Sequence, residues 1–302
     1  VRSADVHSRG RARENVSKRS RWCLCARRDH PRLALTRHRS GRWASQNSVC
    51  RTVDRRRRPP PPAAMGFPLT FFQFCGDMAH VASFSFLLYR LHKSKSAAGI
   101  SLKTMELYFV VFCARYIDVL PFVSRHHNYH SWFLEVYLPL MKFAYIGVSG
   151  AVVYLLRFRE PFKTTYDTER DNFPHWMFLA APCAVLGLVW NYGWSSTSWS
   201  AMFVEMLWAF SQFLEAVAIF PQSVLMKREK QVETITSNYV FCLGLYRVLY
   251  VLNWIYKLAT REHYRDWISW TAGTIQIGLF TDFFYFYFKS RRAGYGGVIL
   301  PA

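Results

Sequence analysis

Residues 237–257 read SNYVFCLGLYRVLYVLNWIYK, a stretch of 21 residues with no acidic side chain. A helix of about 20 mostly apolar residues crosses the hydrocarbon core of a bilayer, so this stretch has the length of a membrane span. Its basic residues are Arg247 in the middle and Lys257 at the end. A charged side chain at the centre of a span is costly in lipid and turns towards the interior of a helix bundle. The stretch therefore predicts a membrane helix with one polar face.

Six further apolar blocks of spanning length occur after Met65. Together, the seven predicted spans are Phe67–Leu91, Thr104–Val123, Phe133–Phe158, Pro174–Gly193, Trp199–Pro221, Ser237–Lys257 and Trp267–Phe288. None has the alternating pattern of a barrel strand, so helices are the way to satisfy the backbone polar groups in lipid. The sequence predicts an all-α fold, a seven-transmembrane helical bundle over residues 65–302, and excludes an ordinary soluble domain.

Basic residues are distributed unevenly between the two sides of this bundle. The loops after spans one, three, five and seven carry 14 Lys and Arg residues, against 4 on the other side. Because positively charged loops stay in the cytosol, this difference predicts a cytosolic C-terminus.

The first 64 residues differ from the rest in composition. They contain 18 Lys and Arg against 4 Asp and Glu, no methionine, and a run of four arginines and four prolines at 55–62. Such a segment cannot bury enough apolar surface to fold alone, so 1–64 is predicted to be a disordered basic leader. Its simplest interpretation is an upstream region that is not native coding sequence. A basic nucleic-acid-binding arm and an organellar transit peptide are the alternatives.

Polar residues inside the spans recur at helical spacing, so each set lies on one helix face. The sets are Gln73, Asp77 and His80; Arg115 and Asp118; Glu205, Trp208, Gln212 and Glu215; Arg247, Tyr250 and Trp254; and Gln276 and Asp282. One interpretation is that these groups only pair with one another and hold the bundle together. The other is a cavity that carries both signs of charge, which suits a zwitterionic or peptide-like ligand.

Several motifs in these spans resemble one family, the K-D-E-L receptors or ER lumen protein-retaining receptors. The matching segments are FQFCGDMAH (72–80), AGIS (98–101), ARYID (114–118), EAVAIFPQ (215–222), ETITS (233–237), YRVLYVLNW (246–254), DFFY (282–285) and LPA (300–302). They occur in order and in register with all seven spans.

The resemblance implies a seven-helix receptor related to the PQ-loop and SWEET folds, in which two three-helix repeats are joined by a linking helix. Pro221-Gln222 would be the PQ element. Members of this family bind the C-terminal tetrapeptide of escaped ER residents in the acidic Golgi and release it at neutral pH in the ER. The chain is therefore expected in the ER and Golgi membranes, with K-D-E-L or H-D-E-L tails and the lipid bilayer as partners.

The resemblance also assigns roles to individual residues. Arg115 and Arg247 correspond to arginines around the acidic groups of the tail. Asp118, Glu205 and Trp254 correspond to residues near its fourth-from-last Lys or His. The full predicted ligand-binding set is Arg115, Asp118, Glu205, Trp208, Arg247, Tyr250, Trp254, Lys257 and Gln73.

A predicted pH switch and two departures from the family accompany this set. His80 corresponds to the proton sensor, and Glu215 with Tyr246 corresponds to the hydrogen-bonded pair that responds to it. Gln73 stands where the family usually has Arg, which removes one cation. Lys257 replaces another usual Arg, and a lysine keeps the charge but not the bidentate fork.

One loop and the tail also depart from the family pattern. The loop Pro121–Trp132 is about ten residues longer than expected, a difference that loops tolerate. The tail lacks the lysines that family members use for coatomer-dependent retrieval. Lys289, Arg291 and Arg292 either substitute for them or anchor the helix at lipid headgroups.

Two alternatives to the receptor function stay open, because a fold does not fix a function. They are a small-solute transporter on the same scaffold, which the uncharged Gln73 favours, and a diverged relative with a structural role in secretory membranes. An enzyme is not expected, since the sequence shows no nucleophile–base pair, metal-ligand set or phosphate-binding loop. No cofactor, metal or nucleic-acid partner is predicted.

Overall fold

The structure is a computed structural model that describes residues 70–117, 132–196, 198–260 and 266–301. The leader 1–64, Asp118 and the loop from Pro121 up to Trp132 lie outside these residues. What the sequence predicts for them stays a prediction.

α-Helices make up most of the described chain, and helical structure lies at each of the seven predicted spans. The helices are α1 (Phe71–Ser94), α2 (Leu102–Arg115), α3 (Trp132–Phe158), α4 (Phe162–Thr165), α5 (Ala181–Val189), α6 (Trp199–Val217), α7 (Phe220–Glu229), α8 (Thr234–Thr260) and α9 (Trp267–Arg292). A π-helical turn (Trp176–Ala180) leads into α5, and a 3₁₀ turn (Gly193–Ser195) follows it. Two short strands, β1 (Gln231–Val232) and β2 (Val298–Ile299), pair antiparallel.

Five segments of the described chain are long and apolar enough to cross a membrane by themselves. They are Phe71–Ser94, Glu135–Phe158, Trp176–Ser195, Trp199–Glu229 and Thr234–Thr260. The second predicted span appears as α2 with 14 residues, and the seventh as the more polar α9 with 26 residues.

The outer surface of the bundle agrees with a membrane environment. Large apolar side chains of α3 and α5 are exposed, among them Leu140, Phe143, Val185 and Val189. Exposed apolar area of this extent is unusual in a soluble monomer and is stable against lipid chains. The chain is a multi-pass membrane protein.

α1 packs along α8, and two contacts near opposite ends of the pair show that these helices run antiparallel. Thr70, the N-cap of α1, donates its hydroxyl to Asn253 in the last third of α8. Arg90, near the end of α1, pairs through Nε with Glu233 Oε2 at 3.1 Å, just before α8 begins. The bundle end that contains Thr70 and Asn253 is called the Thr70 end below.

α6 packs against α2, α5 and α9, and its second half is buried. The sequence predicts one span that ends at Pro221. In the structure α6 ends at Val217, a turn at Ala218–Ile219 follows, and α7 continues to Glu229. Pro221 lies in the first turn of α7, where a missing N–H breaks no helical hydrogen bond.

The neighbouring Gln222 fastens this helix break to the beginning of α2. Its Oε1 accepts the N–H of Ser101 at 2.8 Å, and its Nε2 donates to the carbonyl of Gly99 at 2.9 Å. Its own N–H donates to Thr104 Oγ1 at 2.9 Å. Because Gln222 is fully buried, these hydrogen bonds replace water and hold α7 against α2.

The end of the chain folds back onto the turn between α7 and α8. β2 pairs with β1, and the N–H of Leu300 donates to the carbonyl of Lys230 at 2.8 Å. Val298 and Leu300 are buried, so apolar packing supports the short strand pair.

Candidate functional site

A cavity of about 170 Å³ lies inside the bundle. It is lined by His80 on α1, Arg115 and Tyr116 at the end of α2, Tyr145 on α3, Gln212 and Glu215 on α6, Tyr246, Arg247, Tyr250 and Trp254 on α8, and Ser269 on α9. Seven of the twelve predicted site residues are in this lining: His80, Arg115, Glu215, Tyr246, Arg247, Tyr250 and Trp254.

The carboxylate of Glu215 is the electrostatic centre of the cavity. The residue is only 1% exposed, and its Oε2 lies 2.5 Å from Arg115 Nη1 and 2.7 Å from Arg247 Nη2. These three groups carry two positive charges and one negative charge. Buried charges are stable when they are paired, so the cluster has an electrostatic preference for one more anionic group.

Tyr246 holds the other oxygen of Glu215 and is itself held by Gln276. The Tyr246 hydroxyl donates to Glu215 Oε1 at 2.6 Å and accepts from Gln276 Nε2 at 3.1 Å. Arg115 is fixed from α6 as well, because its Nε and Nη2 donate to the hydroxyl and carbonyl of Ser211 at 3.2 and 3.1 Å. The donors of Arg115 are therefore largely used inside the protein.

Arg247 keeps an unused donor. Its Nη2 contacts Glu215, whereas its buried Nε has no hydrogen-bond partner in the described part of the chain. The guanidinium carbon lies 5.1 Å from the centre of the Tyr246 ring and 5.9 Å from that of Trp254. These cation–π contacts restrict its position. Arg247 therefore has a donor for a further acceptor.

His80 lies beside the ion cluster and contacts it through an aromatic ring. Its imidazole stacks on Tyr246, with ring centroids 4.1 Å apart and an interplanar angle of 5°. The rings of Tyr145 and Phe112 lie 4.8 and 5.6 Å away. His80 is 5% exposed, and its Nε2 has no hydrogen-bond partner among the described residues. A charge on this ring would therefore act directly on Tyr246.

The other predicted site residues are not in the cavity lining. Glu205 and Trp208 lie half-buried in the first half of α6, nearer to the Thr70 end than Glu215. Gln73 is in the first turn of α1 and Lys257 in the last turn of α8. The antiparallel packing of α1 and α8 brings both to the Thr70 end. Asp118 lies outside the described residues.

Four lining residues are not in the predicted set: Tyr116, Tyr145, Gln212 and Ser269. Gln212 could have been predicted as a lining residue, because it lies on the same helix face as Glu215 at i, i+3 spacing. Tyr116 and Tyr145 could not be identified in this way, because a tyrosine that packs against other helices and one that lines a cavity have the same spacing in the sequence. Ser269 is small and lies near the start of α9, so nothing in its surroundings in the sequence distinguishes it.

The side chains of the cavity favour ligand binding over bond-making chemistry. They offer guanidinium groups, aromatic faces and phenol hydroxyls in a buried space. Within the described ranges, no group of three His, Cys, Asp or Glu side chains is placed to hold a metal ion. The arrangement is complementary to a small, anionic, partly apolar ligand.

Comparison with known proteins gives a consistent result. The sequence model of the family described as ER lumen protein retaining receptor matches residues 96–257. ER lumen protein-retaining receptor B of Arabidopsis thaliana is 43% identical over 224 residues, which cover 74% of this chain and 96% of the relative. The ER lumen protein-retaining receptor of Drosophila melanogaster is 41% identical over 226 residues, 75% of this chain and 97% of the relative. The protein of that name from Plasmodium falciparum is 39% identical over 227 residues, with 75% and 95% covered.

Proposed function

Because this chain belongs to the family of ER lumen protein-retaining receptors, we propose that its cavity binds the C-terminal tetrapeptide of ER-resident proteins, of the K-D-E-L or H-D-E-L type. The receptor takes up this tail in the Golgi and returns its cargo to the ER. The observation that carries the proposal is the convergence of Arg115 and Arg247 on Glu215 in a cavity lined by aromatic side chains.

Arg247 is the group that receives the terminal carboxylate of the tail in this proposal. Its buried Nε has no partner in the described chain, and a guanidinium group binds a carboxylate best through two parallel N–H donors. The incoming anion also compensates the excess positive charge around Glu215. A hydrogen bond between charged groups contributes about 1.5–3 kcal/mol, so the loss of this contact should weaken the binding of so short a ligand measurably.

The length of the tail fits the distance along α6. Glu205 and Glu215 are ten residues apart, which corresponds to about 15 Å along a helix. An extended tetrapeptide spans about 14 Å. A tail that enters from the Thr70 end with its carboxylate first therefore leaves its Lys or His near Glu205. This supports the predicted role of Glu205 in binding the cationic end. The role of Trp254, whose ring lies 5.9 Å from the guanidinium carbon of Arg247, stays a prediction from the sequence.

Protonation of His80 is proposed to strengthen tail binding at acidic pH. The groups around the imidazole on the neighbouring helices are Phe112, Arg115, Tyr145, Glu215, Tyr246 and Arg247. A positive charge on His80 adds to the excess positive charge of this cluster and is compensated when the acidic tail binds. Since proton and tail each favour the binding of the other, the tail binds in the acidic compartment and dissociates at neutral pH.

The Thr70 end is proposed to face the lumen, with the C-terminus in the cytosol and seven helices, as two three-helix repeats and a linking helix, crossing the membrane. The excess of basic residues in the loops at the opposite end supports this orientation. There the guanidinium of Arg90 donates to the carbonyls of Ser96 and Ala98 at 2.6 and 2.5 Å and pairs with Glu233. These contacts close the bundle at the cytosolic side. A contact between coatomer and Lys289, Arg291 and Arg292 remains a prediction from the sequence.

Binding of a fluorescent tail peptide to the purified receptor in detergent tests this function. At a pH below about 6 we expect saturable binding of a K-D-E-L or H-D-E-L peptide, and at least about tenfold weaker binding above pH 7.5, because an ordinary imidazole titrates near 6.5. The matched control peptide carries a C-terminal amide and lacks the terminal carboxylate. It should not bind.

Two variants complete the experiment. Arg247→Ala should abolish binding while the detergent-extracted protein stays folded, whereas Lys289→Ala removes an exposed cation far from the cavity and should bind as the wild type does. Equal binding of the amidated peptide, or no binding of either tail at any pH, would contradict the proposed function.

A further inference from the structure

Asp77 on α1 lies behind the wall of the cavity, and its carboxylate accepts hydrogen bonds from two phenol hydroxyls. Tyr250 of α8 donates to its Oδ1, and Tyr137 of α3 donates to its Oδ2 at 2.9 Å. The hydroxyl of Tyr145 reaches the Asp77 carbonyl at 3.4 Å. Asp77 is 8% exposed and is not part of the lining, whereas Tyr145 and Tyr250 are. One carboxylate thus joins three helices directly behind the ligand space.

The neighbouring Gly76 allows the ring of Tyr250 to lie against α1. A Cβ atom at Gly76 would be 2.8 Å from Cδ2 and 2.9 Å from Cε2 of Tyr250, closer than side chains approach one another. The backbone of α1 therefore fixes the ring, and Asp77 fixes the hydroxyl. Tyr250 has a defined position and a defined hydrogen-bond direction.

From this geometry we propose that Asp77 is a positioning residue that makes Tyr250 a hydrogen-bond acceptor towards the tail peptide. A phenol hydroxyl has a single proton to donate, and an ionised carboxylate only accepts. Because the proton of Tyr250 is directed at Asp77, its oxygen can offer only lone pairs to the ligand. Its partner in the tail is then a main-chain N–H and not a carboxylate oxygen. This inference rests on the proposed function.

The same arrangement occurs at a second hydroxyl of the cavity lining. Tyr246 donates its proton to Glu215 and accepts from Gln276, so it too has no proton left for a ligand. Carboxylates of the tail are thereby directed to Arg247, and N–H groups to Tyr250. The division orients the main chain of the tail within the cavity and discriminates against ligands that lack peptide N–H groups.

Replacing single amides of the tail by esters tests this division. Each of the three amide bonds within the tetrapeptide is exchanged in turn for an ester, which removes one N–H. The affinity of each peptide is measured for the wild type and for Asp77→Leu, Tyr250→Phe and Tyr137→Phe. At one position we expect the ester to cost the wild type about three- to tenfold in affinity, the equivalent of one hydrogen bond.

The variants should separate into two groups. Tyr137→Phe keeps the hydrogen bond between Asp77 and Tyr250 and should show the same ester penalty as the wild type. Asp77→Leu takes away the acceptor, so the Tyr250 hydroxyl can turn to the ligand as a donor, and Tyr250→Phe removes that hydroxyl. In both variants the amide and ester peptides should therefore bind alike. A purely structural role of Asp77 would lower the affinity for both peptides equally and leave the ester penalty in place.

The possible outcomes are distinguishable. A wild-type protein that binds no tail contradicts the proposed function itself. A wild-type protein that binds all ester peptides like the amide peptide, or an ester penalty that persists in Asp77→Leu, overturns the role of Asp77 and leaves the receptor function standing. If Asp77→Leu does not fold, Tyr250→Phe decides the matter, because it retains the Asp77–Tyr137 hydrogen bond and a persisting penalty there overturns the inference as well.

Discussion

The imidazole of His80 and the phenol of Tyr246 lie face to face, with centroids 4.1 Å apart and planes inclined by 5°. Tyr246 donates a hydrogen bond to Glu215, and Glu215 forms ion pairs with both Arg115 and Arg247. A titratable ring is thus one aromatic contact away from the ion cluster without being a member of it. This relationship allows a proton on His80 to alter the cluster without competing for its hydrogen bonds.

Replacing His80 by Phe should remove the pH dependence of tail binding and preserve the stack on Tyr246. We expect the affinity of the variant to change less than about twofold across the range in which an imidazole titrates, around pH 6.5, where the wild type changes at least about tenfold. Fluorescence titrations at several pH values measure this.

His175→Phe is the matched control, because His175 is also buried but contacts Glu106 at 3.1 Å instead of the cavity. It should keep the wild-type pH profile. An unchanged profile in His80→Phe would assign the proton to another group.

Gln73→Arg should raise the affinity for acidic tails about three- to tenfold. Gln73 lies at the Thr70 end, where Lys257 is also located, and a second cation there adds attraction to a tail that carries several carboxylates. The gain should decrease at high ionic strength, because partly exposed charges are screened.

Gln231→Arg adds the same charge at an exposed position of β1, away from the cavity, and should leave the affinity unchanged. Equal affinities of Gln73→Arg and the wild type would mean that the ligand makes no use of a cation at this position.

Gln222→Leu should destabilise the bundle and leave the tail affinity of the folded protein unchanged. The substitution deprives the buried N–H of Ser101 and the carbonyl of Gly99 of their partners. Each unsatisfied group costs about 1–3 kcal/mol, so a clear drop in the thermal transition in detergent is expected.

The exposed Gln231, changed to Leu, provides the control and should unfold at the wild-type temperature. A Gln222→Leu protein as stable as the wild type would show that the hydrogen bonds to the segment before α2 contribute little.

Gly187→Ala should separate α5 from α6. A Cβ atom at Gly187 would lie 2.7 Å from the backbone of Phe210, which cannot move without shifting α6. Overpacking of this kind typically costs about 1–3 kcal/mol, measurable as a lower thermal transition in detergent.

Gly147→Ala is the matched substitution within α3, where a Cβ atom would meet nothing within 4 Å. It should be neutral or stabilise by about 0.5–1 kcal/mol through helix propensity. The same response of both variants would mean that the contact at Phe210 is not close in solution.

The helices and their polar faces could be predicted from the sequence, because lipid leaves the backbone few ways to satisfy its hydrogen bonds. The element ends were less predictable. At the break between α6 and α7, Gln222 bonds to residues far away in the sequence, such as Ser101 at a separation of 121 positions. The residues around Gln222 in the sequence do not indicate such a partner. The polar residues at helical spacing indicated His80, Arg115, Glu215 and Arg247 as inward-facing, because polar side chains in a membrane span avoid lipid.

The sequence by itself therefore determined that charged groups from several helices face inwards. Only the tertiary structure decided that Arg115 and Arg247 meet at one oxygen of Glu215, that Asp77 pairs with phenols behind the cavity wall, and that Glu205 and Trp208 stay outside its lining. Helical periodicity fixes the direction in which a side chain points from the axis of its own helix. The rotation and the height of one helix against the next depend on packing contacts between distant residues, such as Gly76 against Tyr250, and these exist only in the folded bundle.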